Sequence, residues 1–295
     1  MRTTRVAAVA APFGRDLDEC FGRIERVLAL ARARGVQLLA LPEACLGGYL
    51  ADTDGTVGTG GAGSTDAPPA LDPDGPEIRR LAELAGGMVV CAGYCERGIE
   101  RATDGPDRIV RYNSAVCVTG DGVLGRHRQS HQPVDDQFGA FDTPVGRIGM
   151  MICYDKASPE AARALAADGA AIGVCLSAWP ASRTNPSPDL GRDRWTRRFD
   201  LFDQARAVEN QLLWLSANQS GRFGDLRFVA SAKVVDPGGD VLATTGIAAG
   251  AAIADVDVDE AVGLARRAMA GRMGPGVSAH PDGAAPGSVP VAAWQ

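Results

Sequence analysis

Two residues in this sequence have the type and the surroundings that nucleophilic catalysis requires, the thiol of Cys153 and the carboxylate of Glu43. Cys153 follows an apolar run over residues 148–152 and precedes a polar turn, after which a helix-like segment begins at Pro159. A thiol at such a strand-to-helix corner lies near helix N-terminal N–H groups, which favour a thiolate and can bind an oxyanion. The residue type alone also fits a packed position, because free cysteine is among the most buried residue types.

Glu43 has the position expected of a general base. It comes after a buried strand predicted over residues 36–41, and open α/β folds place functional groups at the carboxyl ends of strands. A carboxylate beside a thiol can accept the thiol proton, provided that burial raises the pKa of the carboxylate. A solvated carboxylate in a surface loop is the alternative interpretation of Glu43.

The composition argues against several other functions. The 295 residues carry a net charge of −6 with scattered basic residues, so neither nucleic acid nor an anionic membrane surface is an expected partner. The run over residues 6–11 is read as a strand and not as a signal peptide, and no run has the length of a membrane span. The seven cysteines are predicted to be reduced thiols in the cytoplasm. Neither they nor the three histidines are grouped as in a zinc site, so no metal or cofactor is expected.

A Gly-rich segment over residues 58–63 has the pattern G-x-G-x-x-G of dinucleotide-binding loops. Such a loop needs an apolar strand before it and a helix after it, and this segment has neither. A surface loop is therefore predicted over residues 51–76, and a nucleotide-binding oxidoreductase is rejected.

Strands that alternate with helices predict an α/β fold in one domain over residues 1–270. The predicted strands lie over residues 6–11, 36–41, 88–92, 148–152, 171–176, 212–217 and 251–256, with hairpins over residues 112–129 and 228–244. The predicted helices are one that ends at Gly35 and others over residues 77–85, 159–167 and 192–209. The tail over residues 271–295, rich in Gly, Pro and Ala, is predicted to be disordered or to lie as an extended arm on a partner subunit.

The motifs along the chain, taken together and in order, resemble those of the nitrilase (carbon–nitrogen hydrolase) superfamily. The matching segments are Leu41-Pro-Glu-Ala-Cys-Leu-Gly-Gly-Tyr49, Gly93-Tyr-Cys-Glu-Arg97, Tyr112-Asn-Ser114, Gly125-Arg-His-Arg-Gln-Ser-His-Gln-Pro133, Gly146-Arg-Ile-Gly-Met-Met-Ile-Cys-Tyr-Asp-Lys-Ala-Ser-Pro-Glu160, Arg206-Ala-Val-Glu-Asn210, Ala217-Asn218 and Asp236-Pro-Gly-Gly239. The resemblance implies a four-layer α-β-β-α sandwich, and a homodimer or higher homo-oligomer that forms by stacking of helix layers.

The resemblance also implies catalytic roles. The family uses a Glu, a Lys and a Cys, which gives Glu43 the role of general base and Cys153 that of nucleophile. The position of the family lysine holds Gln129, within the segment Arg128-Gln-Ser-His131. A glutamine amide can donate one hydrogen bond to an oxyanion, but it has no charge with which to lower the pKa of Cys153.

A second departure from the family lies before the nucleophile. The link over residues 133–144 is shorter than the usual family loop and lacks its additional active-site Glu, a role that Asp135 or Asp136 could fill. Two side chains, His131 and Lys156, could substitute for the missing cation, and neither is favoured over the other. The interpretation that nothing replaces the cation is favoured over both.

Amide hydrolysis is favoured over nitrile hydrolysis, because the Cys-Tyr-Asp that begins at Cys153 resembles the amidase branches, whereas nitrilases typically have Cys-Trp-Glu. The expected partner is therefore a small amide-like substrate. A carboxylate on that substrate would suit Lys156, although a solvated lysine fits equally well. The side chains expected to line the pocket are Tyr49, Tyr154, Lys156, Trp179 and His131, together with Trp195.

Two hypotheses for function follow. The first is a thiol-dependent, amidase-like hydrolase that cleaves a non-peptide C–N bond of a small molecule through an acyl-enzyme on Cys153. The second is a silent or re-purposed relative that binds a small molecule or a partner protein, or that performs acyl transfer or other non-hydrolytic chemistry. Retention of Glu43 and Cys153 favours the first hypothesis, and loss of the family lysine and of the longer loop favours the second.

Overall fold

The computed structural model describes residues 3–49, 67–101, 107–129 and 138–272. The predicted Gly-rich loop, His131, Asp135 and Asp136 lie outside these ranges, as does the tail beyond residue 272. The strands are β1 Thr4–Ala11, β2 Leu38–Ala40, β3 Val89–Glu100, β4 Arg108–Thr119, β5 Gly122–Arg128, β6 Ala140–Thr143, β7 Gly146–Ile152, β8 Ile172–Ser177, β9 Leu213–Gln219, β10 Arg222–Phe223, β11 Leu226–Arg227, β12 Lys233–Val235, β13 Val241–Thr244 and β14 Gly250–Val256. The helices are α1 Leu17–Ala33, α2 Pro76–Ala85, α3 Pro159–Ala167, α4 Arg194–Asn210 and α5 Val258–Arg272. Short 3₁₀ helices lie over Cys153–Ala157 and Leu190–Arg192.

The helices begin where the sequence provides a cap or a proline. Asp16 precedes α1 and accepts a hydrogen bond from the backbone of Glu19, and Asp193 does the same for α4 through the N–H of Trp195. These carboxylates satisfy N–H groups that have no partner within the first turn of a helix. Proline occupies the first position of α2 and of α3, where no N–H is needed.

Parallel pairing brings the carboxyl ends of the central strands to one edge of the sheet. The strands are ordered β5-β4-β3-β2-β1-β9-β8-β7-β6, with β14 against β1 and β12 between β9 and β13. All neighbours from β3 to β7 along this order run parallel. The segments that follow β2, β7 and β8 therefore meet at the same edge, and these segments carry Glu43, Cys153 and Ala178.

Three apolar cores separate four layers. Side chains of β1 to β4 pack against those of β7, β8 and β12 in the inner core, as Leu38 and Ile148 illustrate. Helices α1 and α2 cover the outer face of one half of the sheet, and α3 and α4 cover that of the other half. Because helices or a second sheet cover both faces, the central strands read as continuous apolar runs. This is the predicted four-layer α-β-β-α sandwich, with the two sheets continuous through β1 and β9.

Several elements differ in extent from the prediction. Strand β3 is longer than residues 88–92, because it pairs with β4 in a continuous register from Val90↔Val118 to Glu100↔Arg108. The strand predicted from residue 228 is reduced to β12, because Ala230 and Ser231 have left-handed φ angles of 57° and 52° that interrupt it. Helix α5 was not predicted. In the described part of the chain, no helix combines the length and the apolar character that crossing a membrane requires.

Candidate active site

Cys153 lies at a sharp corner between β7 and the 3₁₀ helix that it begins. Its φ angle is 49°, in the left-handed region, which costs a non-glycine residue about 1–3 kcal/mol unless the surroundings hold it. Asp155 holds the corner, because its Oδ2 accepts a hydrogen bond from the N–H of Ile152 at 2.9 Å and lies 2.8 Å from Nε2 of His127. The nucleophile candidate is thus fixed by a buried carboxylate on the strand side.

Helix α4 fixes the other side of the same turn. Arg206 donates hydrogen bonds from Nε to the carbonyl of Lys156 at 2.9 Å and from Nη2 to the carbonyl of Ala157 at 3.2 Å. Nζ of Lys156 lies 2.7 Å from Oδ1 of Asp203. These contacts tie the 3₁₀ helix to α4 and leave little freedom for the position of Cys153.

The close approach of Glu43 to the sheet depends on a glycine in strand β3. The loop after β2 crosses β3 at Gly93, where an added Cβ would lie 2.6 Å from both the Cα of Glu43 and the N of Ala44. Leu46 then donates a backbone hydrogen bond to the carbonyl of Gly93 at 3.3 Å. Gly93 therefore allows the loop to pack onto the strand and to bring the Glu43 side chain into the interior, where it is fully buried.

The Glu43 carboxylate accepts two hydrogen bonds. The N–H of Ala178 donates to Oε2 at 2.5 Å, and Nδ2 of Asn113 donates to Oε1 at 2.5 Å. The thiol of Cys153 lies close enough to the same carboxylate for each group to affect the pKa of the other. A thiol and a carboxylate from two different strand ends thus meet in a buried position, where a proton can pass directly between them.

Burial decides the ionisation of both groups. It raises the pKa of Glu43 from 4.5 to about 7, although the hydrogen bonds from Asn113 and Ala178 and the neighbouring Cys153 thiol act in the opposite direction. Burial, together with the neighbouring charge of Glu43, also raises the pKa of the Cys153 thiol well above its ordinary value. The resting pair is therefore a thiol beside a carboxyl group that changes protonation near neutral pH.

Gln129 connects Asn113 to the end of strand β7, next to Cys153. Its Nε2 donates to the carbonyl of Ile152 at 3.1 Å, and its Oε1 accepts a hydrogen bond from Nδ2 of Asn113 at 2.9 Å. Asn113 thus contacts both Glu43 and Gln129. Asn113 was not predicted as a site residue. The signal that could have identified it is its polar amide inside the family-like motif Tyr112-Asn-Ser114.

Lys156, which the sequence predicted in the pocket, packs instead against helix α4. Its side chain is fully buried, with Nζ on Asp203 and 3.2 Å from the ring centroid of Phe199. Lys233, the other lysine of the chain, binds Asp203 through Oδ2 at 2.8 Å. Burial opposes ionisation of Asp203, but the two ammonium groups hold its pKa below the ordinary value. The charge of Lys156 is therefore used inside the protein.

The aromatic candidates fall into two roles. Tyr154 is 60% exposed and stacks on Trp179 with a centroid separation of 5.7 Å. Trp179 itself is buried, because its Nε1 donates to the carbonyl of Trp195 and its ring packs against Trp195 and Phe199. Tyr154 can therefore contact a substrate, and Trp179 supports it from behind.

Tyr49 belongs to the same loop after β2 as Glu43. Its half-buried ring contacts Phe228 edge to face, with a centroid separation of 6.3 Å. Burial, followed by the charges of Glu43 and Cys153, raises the pKa of the Tyr49 hydroxyl well above its ordinary value. The hydroxyl is thus close enough to Glu43 and Cys153 to respond to their charge. In the described part of the chain, no group of three or more His, Cys, Asp or Glu side chains is placed to hold a metal ion.

Known proteins share this arrangement of elements. The family model described as carbon-nitrogen hydrolase matches residues 5–266. The chain is 30% identical over 178 residues to the probable nitrilase C965.09 of Schizosaccharomyces pombe, a match that spans 57% of this chain and 60% of that protein. It is 28% identical over 257 residues to the (R)-stereoselective amidase of Pseudomonas sp, spanning 84% of this chain and 83% of that protein.

A solved structure also has this fold. The carbon-nitrogen hydrolase from Helicobacter pylori G27 superimposes with a TM-score of 0.70 at 20% identity, over 91% of this chain and 93% of that one. Together with the match over residues 5–266, these findings show that the chain belongs to the carbon–nitrogen hydrolase family.

Proposed function

We propose that this protein is an amidase-like hydrolase that cleaves a non-peptide C–N bond of a small molecule through an acyl-enzyme on Cys153. The observation that carries the proposal is the buried position of the Cys153 thiol and the Glu43 carboxylate beside each other, where each affects the pKa of the other. A nucleophile in contact with its base is the arrangement that covalent catalysis requires. The membership of this chain in the carbon–nitrogen hydrolase family supports the same chemistry.

The two half-reactions use the same proton acceptor. The sulfur of Cys153 attacks the amide carbonyl carbon while its proton passes to Glu43, and Glu43 then returns the proton to the leaving amine as the C–N bond breaks. Water enters in place of the amine, loses a proton to Glu43 and attacks the thioester. Cleavage of the C–S bond releases the carboxylic acid, and Glu43 returns the proton that it took from water to the sulfur, which restores the thiol and the carboxylate.

We assign the position of the family lysine to Gln129, which supplies a neutral donor in place of a cation. One N–H of the Gln129 amide donates to the carbonyl of Ile152, so the second N–H remains for the oxyanion. A single donor of this kind contributes about 10²–10³ in rate. Without a nearby ammonium group, the negative charge on Glu43 is less stabilised, in agreement with its raised pKa.

Tyr154 and Tyr49 are the proposed substrate contacts, with Trp179 as the support of Tyr154. His131 stays a predicted contact from sequence. A single domain over residues 1–270, a cytoplasmic location and assembly as a homodimer or higher homo-oligomer are also proposals. Leu201 and Val208 on α4 are 64% and 38% exposed, and such apolar side chains support assembly through the layer of helices. Sedimentation can measure the oligomeric state.

The test is a release assay for ammonia or amine with a panel of small aliphatic and aryl amides. Cys153→Ala and Glu43→Gln should each remove turnover, while the matched control Cys20→Ala, on α1 in the outer layer, should retain it. Turnover that survives in Cys153→Ala would reject the proposed nucleophile. No turnover of any amide by the wild-type protein, with Cys153 no more reactive than the other thiols, would favour a silent relative.

A further inference from the structure

A cavity of about 420 Å³ lies between the loop after β8 and the hairpin formed by β10 and β11. Arg183 lines it from the loop, Arg222 and Arg227 line it from the hairpin, and Asp225 lines it at the hairpin turn. Its volume falls within the range of about 300–1,000 Å³ that is usual for small-molecule sites. The cavity therefore concentrates positive charge in a protein whose net charge is −6.

The two hairpin arginines lie directly across the strand pair, and Nη1 of Arg227 donates to the carbonyl of Pro188 at 3.3 Å. Arg222 and Arg227 are direct partners in the antiparallel pairing of β10 and β11, so their side chains project from the same face of the hairpin. Like charges directly opposite each other destabilise such a pair, and each strand here has only two residues to offset that cost. An anion between the two guanidinium groups would remove the repulsion, so their placement itself points to an anionic ligand.

The wall opposite the hairpin is held in place before any ligand binds. Asp193, which is buried, accepts hydrogen bonds at Oδ1 from both N and Oγ of Ser182 at 3.0 Å, and at Oδ2 from the N–H of Ser187 at 3.1 Å. The N–H of Ala181 donates to the carbonyl of Arg227 at 2.7 Å, which joins the loop to the hairpin. A preorganised wall lowers the entropy that a ligand must overcome on binding.

We infer that this cavity binds the carboxylate or phosphate group of a small anionic molecule. Guanidinium groups match the two oxygens of such groups with paired, charge-assisted hydrogen bonds. Pro180 lines the cavity and lies two residues after Ala178, the residue whose N–H contacts Glu43. Since an extended residue spans at most about 3.6 Å, the cavity wall begins within about 7 Å of Ala178. The anion is thus either the remote end of the substrate or a separate ligand beside the catalytic centre.

Titration calorimetry of the full chain carrying Cys153→Ala, with inorganic phosphate and with succinate as probes, tests the inference without requiring catalysis. At least one probe should show saturable binding. Arg222→Gln and Arg227→Gln should each weaken it about 10–100-fold, because each removes charge-assisted hydrogen bonds. Asp225→Asn should tighten binding, since it removes a competing negative charge. The control Arg26→Gln changes an exposed arginine of α1 and should leave the affinity unchanged.

A second measurement on the wild-type protein distinguishes the two sources of the anion. Protection of Cys153 from iodoacetamide by the bound probe would identify the anion as the remote end of the substrate, whereas binding without protection would identify a separate ligand. Either result keeps the anion site. Absence of saturable binding, or affinity that is unchanged in both arginine variants, would overturn it. If Cys153 proves unreactive but the probe binds, the proposed catalysis fails and the anion site stands.

Discussion

Restoring a cation at position 129 should move the pH dependence of Cys153 reactivity. As the proposed general base, Glu43 can accept the thiol proton only when it is ionised, and burial raises its pKa to about 7. Reactivity should therefore rise with pH along a limb centred near that value. Gln129→Lys would place an ammonium group beside Asn113, whose Nδ2 lies 2.5 Å from Oε1 of Glu43.

The size of the shift follows from the electrostatics of the pair. Two unit charges about 4 Å apart at an effective dielectric constant of about 20 attract by about 4 kcal/mol. This equals roughly 3 pKa units, at the upper end of the 1–3 units that an adjacent cation usually produces. A positive charge favours the ionised carboxylate, so the pKa of Glu43 falls and the limb moves by about 1–3 units to lower pH.

The assay is the second-order rate of Cys153 alkylation by iodoacetamide between about pH 4.5 and 9 at constant ionic strength, since the relevant pKa values span this range. It requires no knowledge of the substrate. Gln129→Met, which has similar volume and no charge, is the matched control and should keep the limb near the wild-type position. A limb that stays in place in Gln129→Lys, or that moves equally in Gln129→Met, would refute the reasoning that a charge at position 129 acts on the ionisation of Glu43.

Three further predictions concern the same part of the molecule. Since its folded-state pKa of about 7 lies above its ordinary 4.5, Glu43 gives a contribution to stability that is complete below about pH 4.5 and lost as pH rises through 7. Glu43→Gln should remove this pH-dependent loss of roughly 3 kcal/mol in the free energy of unfolding, which urea unfolding at pH 5 and pH 8 measures. Parallel pH trends in the wild-type and variant proteins would contradict the prediction. Iodoacetamide should label Cys153 ahead of the other six thiols in peptide mass spectrometry, and uniform labelling would argue against an activated thiol. Asp203→Asn leaves the buried ammonium group of Lys156 without its carboxylate and leaves Lys233 with Asp200 alone, so it should cost about 3–5 kcal/mol in unfolding free energy. Asp200→Asn should cost much less, because the Asp200 side chain is 39% exposed and Lys233 keeps Asp203.

Residues that follow apolar strands could be placed from the sequence alone. Glu43 and Cys153 each come directly after such a strand, and parallel pairing brings those strand ends together whatever the details of the loops. The alternation of apolar strands and amphipathic helices predicted an α/β fold, whereas the four-layer arrangement was implied by the resemblance to the nitrilase superfamily. In these cases a local pattern determines where the side chain must lie.

Asn113 and Lys156 show where local patterns are insufficient. Asn113 lies within β4, and its contact with Glu43 depends on which residues β3 and β4 pair, a register set by partners far along the chain. Lys156 was expected in the pocket because it is close to Cys153 in sequence. Its position is decided instead by Asp203, 47 residues later, whose buried carboxylate needs a cation. Neither long-range partner is marked in the sequence around these residues.

The central claim is that Cys153 forms an acyl-enzyme. The most direct test is to mix the wild-type protein with an amide that it hydrolyses, to stop the reaction with acid, and to measure the intact mass. Peptide mapping then locates any adduct. The account predicts a mass increase equal to the acyl group on the peptide that contains Cys153, and neither adduct nor turnover in Cys153→Ala. Turnover without any adduct, persisting in Cys153→Ala, would contradict it.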